Sequence, residues 1–246
     1  MLPLCMAVIG GIDEAGRGPV FGPMVVAGVS GTDQKSFRDL GVKDSKVLSP
    51  ERRTRLARDI EEVARRVETI HIDSSGIDQR RGDETLNEIE VSAFAVIARR
   101  LNVLELFVDA ADVIAPRFGR DILRHLGPEA GVMRIVAEHR ADSTYPIVSA
   151  ASIIAKVQRD REVARLARPL EKEIGLPLGS GYAADPVTMK FLETYYQRRS
   201  TLPAGTRISW ATARGLESRL KSRKLEEFVS SVPSKPSQRS ASRARP

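Results

Sequence analysis

The 246-residue sequence predicts an α/β domain built on a mixed sheet. The apolar runs Leu104–Asp109 and Val132–Ala137 have the length and composition of strands buried on both faces. Three earlier strand-like segments are joined by short or helical links. The order that results, three strands and then strand–helix–strand–helix, suits a layered α/β architecture. Apolar residues make up 41% of the chain and charged residues 29%, enough to build a sizeable core in a soluble protein.

The elements follow in chain order. Strands are expected at Met6–Ile12, Val20–Val29 and Val67–Asp73, and Pro23 inside the second run argues for an edge or a bulge there. Helical periodicity over Pro50–Arg66 puts Leu56, Ile60, Val63 and Val67 on one face, with Ser49 as N-cap and Pro50 at the first helical position. Asp83–Leu101 groups Leu86, Ile89, Phe94, Ile97 and Leu101 in the same way. A long helix is expected over Val148–Ile174, with Pro169 marking an interruption, and another over Pro186–Arg198. From about Ser230 the chain is rich in Ser, Pro and Arg, with almost nothing to bury, and is expected to be disordered. There is no internal repeat.

Composition excludes several classes. No apolar run approaches the roughly 20 residues that cross a bilayer. The opening MLPLCMAVIGG has neither a basic start nor a small-residue cleavage site and leads directly into Asp13 and Glu14, so it reads as a buried strand. Cys5 is the single cysteine, which excludes an internal disulfide or a Cys-rich zinc site and suits a cytoplasmic protein. The net charge of +7 is uneven: residues 1–197 hold 27 basic and 29 acidic side chains (−2), and residues 198–246 hold 12 and 3 (+9). A basic C-terminal arm suits a polyanion such as nucleic acid, and equally a solubilising tail.

The residues able to carry chemistry are carboxylates. Asp13 and Glu14 end the first predicted strand, where adjacent carboxylates are costly unless solvated in a turn or neutralised. Their setting in the segment DEAGRG favours neutralisation: its glycines let the backbone approach a ligand and present N–H groups, so the acids could hold a cation while the loop holds a phosphate or sugar. Asp109 ends the run LELFV, and ligands of open α/β sheets gather at the carboxyl ends of strands. If the first and fourth strands are parallel neighbours, Asp13 and Asp109 lie side by side. Asp112 competes for that role from beyond the strand. Asp142 follows the fifth strand and precedes a helix opening with the small residues Ser149, Ala150, Ala151 and Ser152, which permit close packing on the sheet. Taken alone, Asp142 also suits an Asx turn. Carboxylates without histidine or cysteine partners suit Mg²⁺ or Mn²⁺, and two such ions about 3.5–4 Å apart can clamp a phosphoryl displacement. His71, His125 and His139 have no metal-type spacing and read as structural, including His139 close to Asp142.

Together, GIDEAGRGPVFGPMVVAGV, KDSKVLSPERR, VDA at 108–110, AEHRADSTYPIVSAASIIAKVQRD and GSGYAADP at 179–186 closely resemble the ribonuclease HII (ribonuclease H type 2) family in its archaeal-like form, over most of residues 6–190. The resemblance implies a ribonuclease H-like fold: a five-stranded mixed sheet flanked by helices, with a helical C-terminal portion. With the composition of the C-terminus, the chain is expected to divide into a catalytic domain at 1–184, a helical portion at 185–230 and a basic disordered tail at 231–246, the last not part of the family core. The resemblance implies that Asp13, Glu14, Asp109 and Asp142 are catalytic metal ligands and that Gly16, Arg17 and Gly18 sense the ribose 2′-hydroxyl. It further implies that Tyr182 packs on the sugar after the ribonucleotide, and that Lys43 and Lys46 approach backbone phosphates. The implied activity is endonucleolytic, with Mg²⁺ or Mn²⁺. It hydrolyses the RNA strand of RNA–DNA hybrids and nicks 5′ of ribonucleotides embedded in duplex DNA, leaving 3′-hydroxyl and 5′-phosphate ends. Nothing demands more than a monomer.

Alanines stand at 183 and 184 where relatives often have Pro-Ser, and KLEEFVSSV at 224–232 does not match the sliding-clamp box of some relatives. A non-catalytic hybrid-binding protein is the alternative from another class, disfavoured because all four carboxylates are present. A resolvase or transposase core is disfavoured by DEAGRG and Tyr182, since such enzymes need no 2′-hydroxyl sensor.

Overall fold

The computed structural model describes residues 8–42 and 48–231, with side chains up to Arg223. Five strands form one sheet: β1 (Ile9–Ala15), β2 (Met24–Gly31), β3 (Arg66–Ile72), β4 (Glu105–Asp109) and β5 (Arg134–Glu138). Their order is β3-β2-β1-β4-β5. The β1–β2 and β2–β3 pairs are antiparallel, and β1–β4 and β4–β5 are parallel. The predicted mixed sheet is therefore present, with the first and fourth strands parallel neighbours.

Two boundaries differ from the reading of the sequence in ways that matter for the site. β1 runs on to Ala15, because Asp13 and Glu14 stay in the ladder opposite Ala27 and Val26 of β2. The acidic pair therefore lies within a strand and not beyond its end. β2 begins one residue after Pro23 and is an interior strand, so neither an edge nor a bulge is needed: the missing proline N–H falls outside the ladder.

Helices cover both faces. On one lie α1 (Lys35–Asp39), α2 (Pro50–Val63) and the long α7 (Pro146–Ile174). Ser49 caps α2 as expected, accepting a hydrogen bond from the Arg52 N–H, and the helix stops short of Arg66 because that residue opens β3. α7 runs unbroken through Pro169. Pro169 and Arg165, whose carbonyl loses its helical partner, are both exposed, so water can replace the lost bond. The start of α7 presses on β1 at Gly11, where a Cβ would come within 2.6 Å of the Ile147 carbonyl. This contact and the small residues at 149–152 bring the helix down onto the sheet two residues from Asp13.

The opposite face carries α3 (Ser74–Arg80), α4 (Leu86–Leu101) and α5 (Ala115–Leu126). α4 starts at a capping box between Thr85 and Glu88 and buries Ile89, Phe94, Ile97 and Leu101 as its periodicity requires. α5, which the hydrophobic pattern of the sequence does not delimit, stacks Phe118 edge-on against Phe94 at 5.1 Å. The short α6 (Ala141–Thr144) turns the chain from β5 into α7, entered through Arg140 in the left-handed conformation.

At the C-terminal side, α8 (Pro186–Arg199) and α9 (Ala211–Ser231) enclose a separate cluster in which Phe191, Leu192 and Leu216 pack on Val20, Phe21 and Val163. Residues 205–207 are sewn to 20–22 by backbone bonds, from Gly22 N–H to Gly205 and from Arg207 N–H to Val20. Lys43, Lys46, residues 232–246 and the side chains of 224–231 lie outside the described residues, and with them the side chains of the clamp-box segment and the tail from 232. Among the described residues no helix is long and apolar enough to cross a membrane.

Candidate active site

Ile12 of β1 pairs with Val108 of β4, so Asp13 and Asp109, next along their parallel strands, sit side by side on the α7 face. Asp142, in the first turn of α6, completes a group: one carboxylate oxygen from each of Asp13, Asp109 and Asp142 lies within 4.8 Å of the others. Asp13 and Asp142 are each only 6% exposed. The Ala141 N–H donates to Asp109 Oδ1 at 3.3 Å, tying the α6 turn to the end of β4.

Glu14 falls on the opposite side of the β1 pleat and does not join the three-oxygen group. Its Oε2 is buried without a hydrogen-bond partner. Burial, followed by the charges of Glu14 and Asp109, holds the Asp13 carboxyl well above the usual carboxylate range, against the Ser152 hydrogen bond and the Lys156 charge. The Glu14 carboxyl is raised as well, by burial and then Asp109, with Arg17 opposing. Concentrated negative charge, an orphaned carboxylate oxygen and an all-oxygen donor set fit a hard divalent cation.

Asp112 is excluded from the cluster. It is 5% exposed and spends its oxygens on Arg117 Nε and Nη2, the Ile114 N–H and Asn87. The His139 ring bridges the carbonyls of Ala110 and Val113, the structural role expected of it.

The glycine–arginine–glycine loop follows β1 directly. Gly16 has φ +88°, and a Cβ there would meet the Pro23 carbonyl at 2.5 Å, whereas a Cβ on Gly18 would meet nothing within 4 Å. The Arg17 guanidinium turns inward, pairing with Glu90 and donating to Asn87 Oδ1 at 2.7 Å. The backbone is left open at Gly18.

Three supporting residues carry little or no mark in the sequence. Arg207 is fully buried, and its guanidinium donates to the carbonyls of Gly16 (2.6 Å), Arg17 (2.9 Å) and Gly22 (3.0 Å). Desolvation, aided by Arg159, lowers its pKa to about 10. Glu90, also fully buried, anchors Arg17. A signal for Glu90 does exist, since it shares the apolar face of α4 with Leu86, Phe94 and Ile97 and a glutamate there needs a partner. Arg159 donates to the Ser180 carbonyl at 2.7 Å and lies 5.1 Å from the ring centroid of Tyr182.

Tyr182 itself is 41% exposed. Its loop is fixed from both sides: Gly181 accepts from the Val20 and Phe21 N–H groups, and Asp185 accepts from the Ser180 N–H and hydroxyl. The loop that carries Tyr182 and the one that carries Gly16 thus meet at residues 20–22.

A mixed five-stranded sheet carrying carboxylates on its two central parallel strands and on the helix after the fifth defines a nuclease of the ribonuclease H-like class. Residues 10–213 match the ribonuclease HII family. The chain is 44% identical over 223 residues to the ribonuclease HII of Pyrococcus furiosus, covering 89% of this chain and 95% of that one. The crystal structure of the ribonuclease H2 from Pyrococcus horikoshii OT3 superposes with a TM-score of 0.77 at 39% identity, covering 87% and 99% of the two chains. The ribonuclease HII of Archaeoglobus fulgidus, solved in complex with PCNA, gives 0.74 at 43% identity, covering 82% and 95%. The chain belongs to the ribonuclease HII family, the type 2 ribonucleases H, and is a metal-dependent endoribonuclease.

Proposed function

We propose that this chain hydrolyses the RNA strand of RNA–DNA hybrids and nicks duplex DNA on the 5′ side of embedded ribonucleotides. The observation that carries the reading is the convergence of Asp13, Asp109 and Asp142 beside a loop whose backbone is open at Gly18. Asp13, Asp109 and Asp142 would hold Mg²⁺ or Mn²⁺, with Glu14 completing the shell through its unpartnered oxygen. A divalent cation supplies stabilisation of the negative charge that develops on a transferring phosphoryl group. Attack by water at the phosphorus 5′ of the ribonucleotide breaks the bond to the preceding 3′ oxygen. It leaves a 3′-hydroxyl upstream and a 5′-phosphate on the ribonucleotide.

Substrate choice belongs to the chain's own residues. Telling ribose from deoxyribose requires a contact to the 2′-hydroxyl; of the loop Gly16, Arg17 and Gly18 proposed to make it, Gly18 leaves open space at the backbone and Gly16 is packed on the Pro23 carbonyl. The half-exposed Tyr182 ring supplies a face for the next sugar without reading base identity. On this reading residues 1–184 form the catalytic domain, 185–230 a helical buttress, and 231–246 a tail adding salt-sensitive affinity. The protein works as a cytoplasmic monomer, with Lys43 and Lys46 on backbone phosphates.

The test is an end-labelled DNA duplex containing one ribonucleotide, incubated with Mg²⁺, with Mn²⁺ or with EDTA, beside an all-DNA control. Metal-dependent nicking 5′ of the ribonucleotide is expected. No cleavage of this duplex or of a long hybrid by folded protein with either ion would leave hybrid binding without catalysis.

A further inference from the structure

Beyond the carboxylates, a cleft of about 450 Å³ opens where the glycine–arginine–glycine loop ends. It is lined by Arg17 and Gly18 on one side, Arg81 on a second, and Ser209, Trp210 and Arg214 on a third, with no acidic side chain. Three guanidinium groups line the cleft, and of these Arg81 and Arg214 bring positive charge with no carboxylate among the lining residues.

The three arginines are not equivalent. Arg17 is already paired with Glu90 and Asn87. Arg81 and Arg214 are exposed and are each steered by a backbone carbonyl, Arg81 Nη1 to Glu84 at 3.1 Å and Arg214 Nη1 to Ser209 at 2.5 Å. A carbonyl orients a guanidinium without neutralising it, leaving the other N–H groups for an anion. The walls are also fixed. Asp78 accepts from the Ile208 and Ser209 N–H groups, and the Arg207 guanidinium lies 4.9 Å from the Trp210 ring centroid. The cleft is thus held open with an aromatic wall and two uncommitted forks, a combination that suits one phosphodiester and its sugar.

We infer that this cleft is a backbone-phosphate subsite. Arg81 and Arg214 grip a phosphodiester of the duplex adjoining the nucleotide read by the loop, and Trp210 packs against its sugar. The inference rests on the proposed substrate class and extends it: the duplex is held at a point that no carboxylate touches.

The experiment compares Arg81→Gln/Arg214→Gln with Arg120→Gln/Arg124→Gln, a pair of equal charge change on α5 outside the cleft. Binding of the ribonucleotide-containing duplex is followed by fluorescence anisotropy in EDTA over a salt series, and steady-state nicking is measured with Mg²⁺. For the cleft pair the slope of log affinity against log salt is expected to shrink by about one, with affinity at low salt falling about tenfold. KM should rise by a similar factor while kcat is retained, because the contact is the same in ground and transition states. The α5 pair should match wild type. All four side chains are exposed, so folding is not at issue.

A cleft pair that behaves like the α5 pair, while wild type nicks normally, overturns the subsite alone. Wild type that fails to nick the ribonucleotide duplex overturns the substrate reading instead. Saturable binding of inorganic phosphate alone by wild type, lost in the cleft pair and without any change in the duplex salt slope, would reassign the cleft to a free anion.

Discussion

Arg207 Nη2 donates a 2.6 Å hydrogen bond to the carbonyl oxygen of Gly16, joining two residues 191 positions apart in the chain. With the bonds to Arg17 and Gly22, one buried cation satisfies three carbonyls of the loop that follows the acidic strand. No carboxylate does this work; the negative ends of peptide dipoles do. The consequence is a loop whose carbonyls at Gly16, Arg17 and Gly22 are tied inward to one cation.

Replacing Arg207 with Met leaves those carbonyls buried without donors, at about 1–3 kcal/mol for each group not re-satisfied. With all three unsatisfied the loss is roughly 3–9 kcal/mol, so a fall in melting temperature of at least roughly 6 °C is expected, given about 2–4 °C per kcal/mol in a domain of this size. Arg207→Lys keeps a charge but cannot span three carbonyls, so it should recover most of the melting temperature and little of kcat/KM on a ribonucleotide duplex. Thermal denaturation and kinetics on both variants check this. Full recovery of kcat/KM by lysine would remove Arg207 from any role in setting the loop.

The acidic cluster makes a prediction about stability as well as catalysis. The neutral form of Asp13 is favoured in the fold, so its contribution to stability is fully present below the unfolded value near 3.8 and is lost as pH rises through the raised folded value. At neutral pH in EDTA the cluster is therefore a net cost. Asp109→Asn removes one repelling charge and keeps an oxygen for the Ala141 N–H. It should abolish nicking yet raise the metal-free melting temperature by roughly 2–4 °C, about 1 kcal/mol. It should also shrink the rise in melting temperature that wild type shows with Mn²⁺ or Mg²⁺. Near-normal turnover by this variant would sink the metal assignment.

Gly16 and Gly18 separate fold from function. Alanine at 16 meets the Pro23 carbonyl at 2.5 Å and is strained at φ +88°, whereas alanine at 18 points into open space. Gly16→Ala should lose stability by about 1–2 kcal/mol or more from the left-handed conformation alone. Gly18→Ala should melt within about 0.5 kcal/mol of wild type. If substrate approaches the backbone there, it should nonetheless lose at least about tenfold in kcat/KM. Equal activity of Gly18→Ala and wild type would mean that the loop does not contact the sugar closely.

Much of this site was legible in the sequence because its chemistry is carried by strand ends. A buried apolar run has few ways to end in a carboxylate, so Asp109 and the pair Asp13–Glu14 stood out, and parallel pairing of their strands brought Asp13 and Asp109 together. The extent of β1 was less legible, since no local signal says that Asp13 and Glu14 keep their ladder partners in β2. Arg207 was invisible for a different reason. A lone arginine between Thr206 and Ile208 looks like any solvated loop arginine, and its burial depends on the carbonyls of residues 16–22 closing over it from the other end of the chain. α5 escaped because Pro116 and Gly119 interrupt its pattern, although Phe118, Ile122 and Leu126 recur every fourth residue.

The Tyr182 loop yields the last prediction, and it depends on Asp185. That carboxylate accepts from the Ser180 N–H and hydroxyl and from the Val187 N–H, which lowers its pKa to about 2. Its stabilisation of the loop is therefore present above about 3.8 and lost only as pH falls through about 2, so across the working range it behaves as a fixed brace. Tyr182→Ala removes the aromatic face and leaves the brace; Asp185→Ala leaves the face and removes the brace. Tyr182→Ala should reduce cleavage at a single embedded ribonucleotide about tenfold more than cleavage of a continuous hybrid, where further ribonucleotides offer alternative registers. Asp185→Ala should reproduce that bias in weaker form, with a lower melting temperature, because an unbraced Tyr182 is still present but no longer pre-positioned. Rates on the two substrates, measured side by side for both variants, decide it: equal losses on both substrates for Tyr182→Ala would remove the tyrosine from junction reading and leave the Asp185 brace a purely structural device.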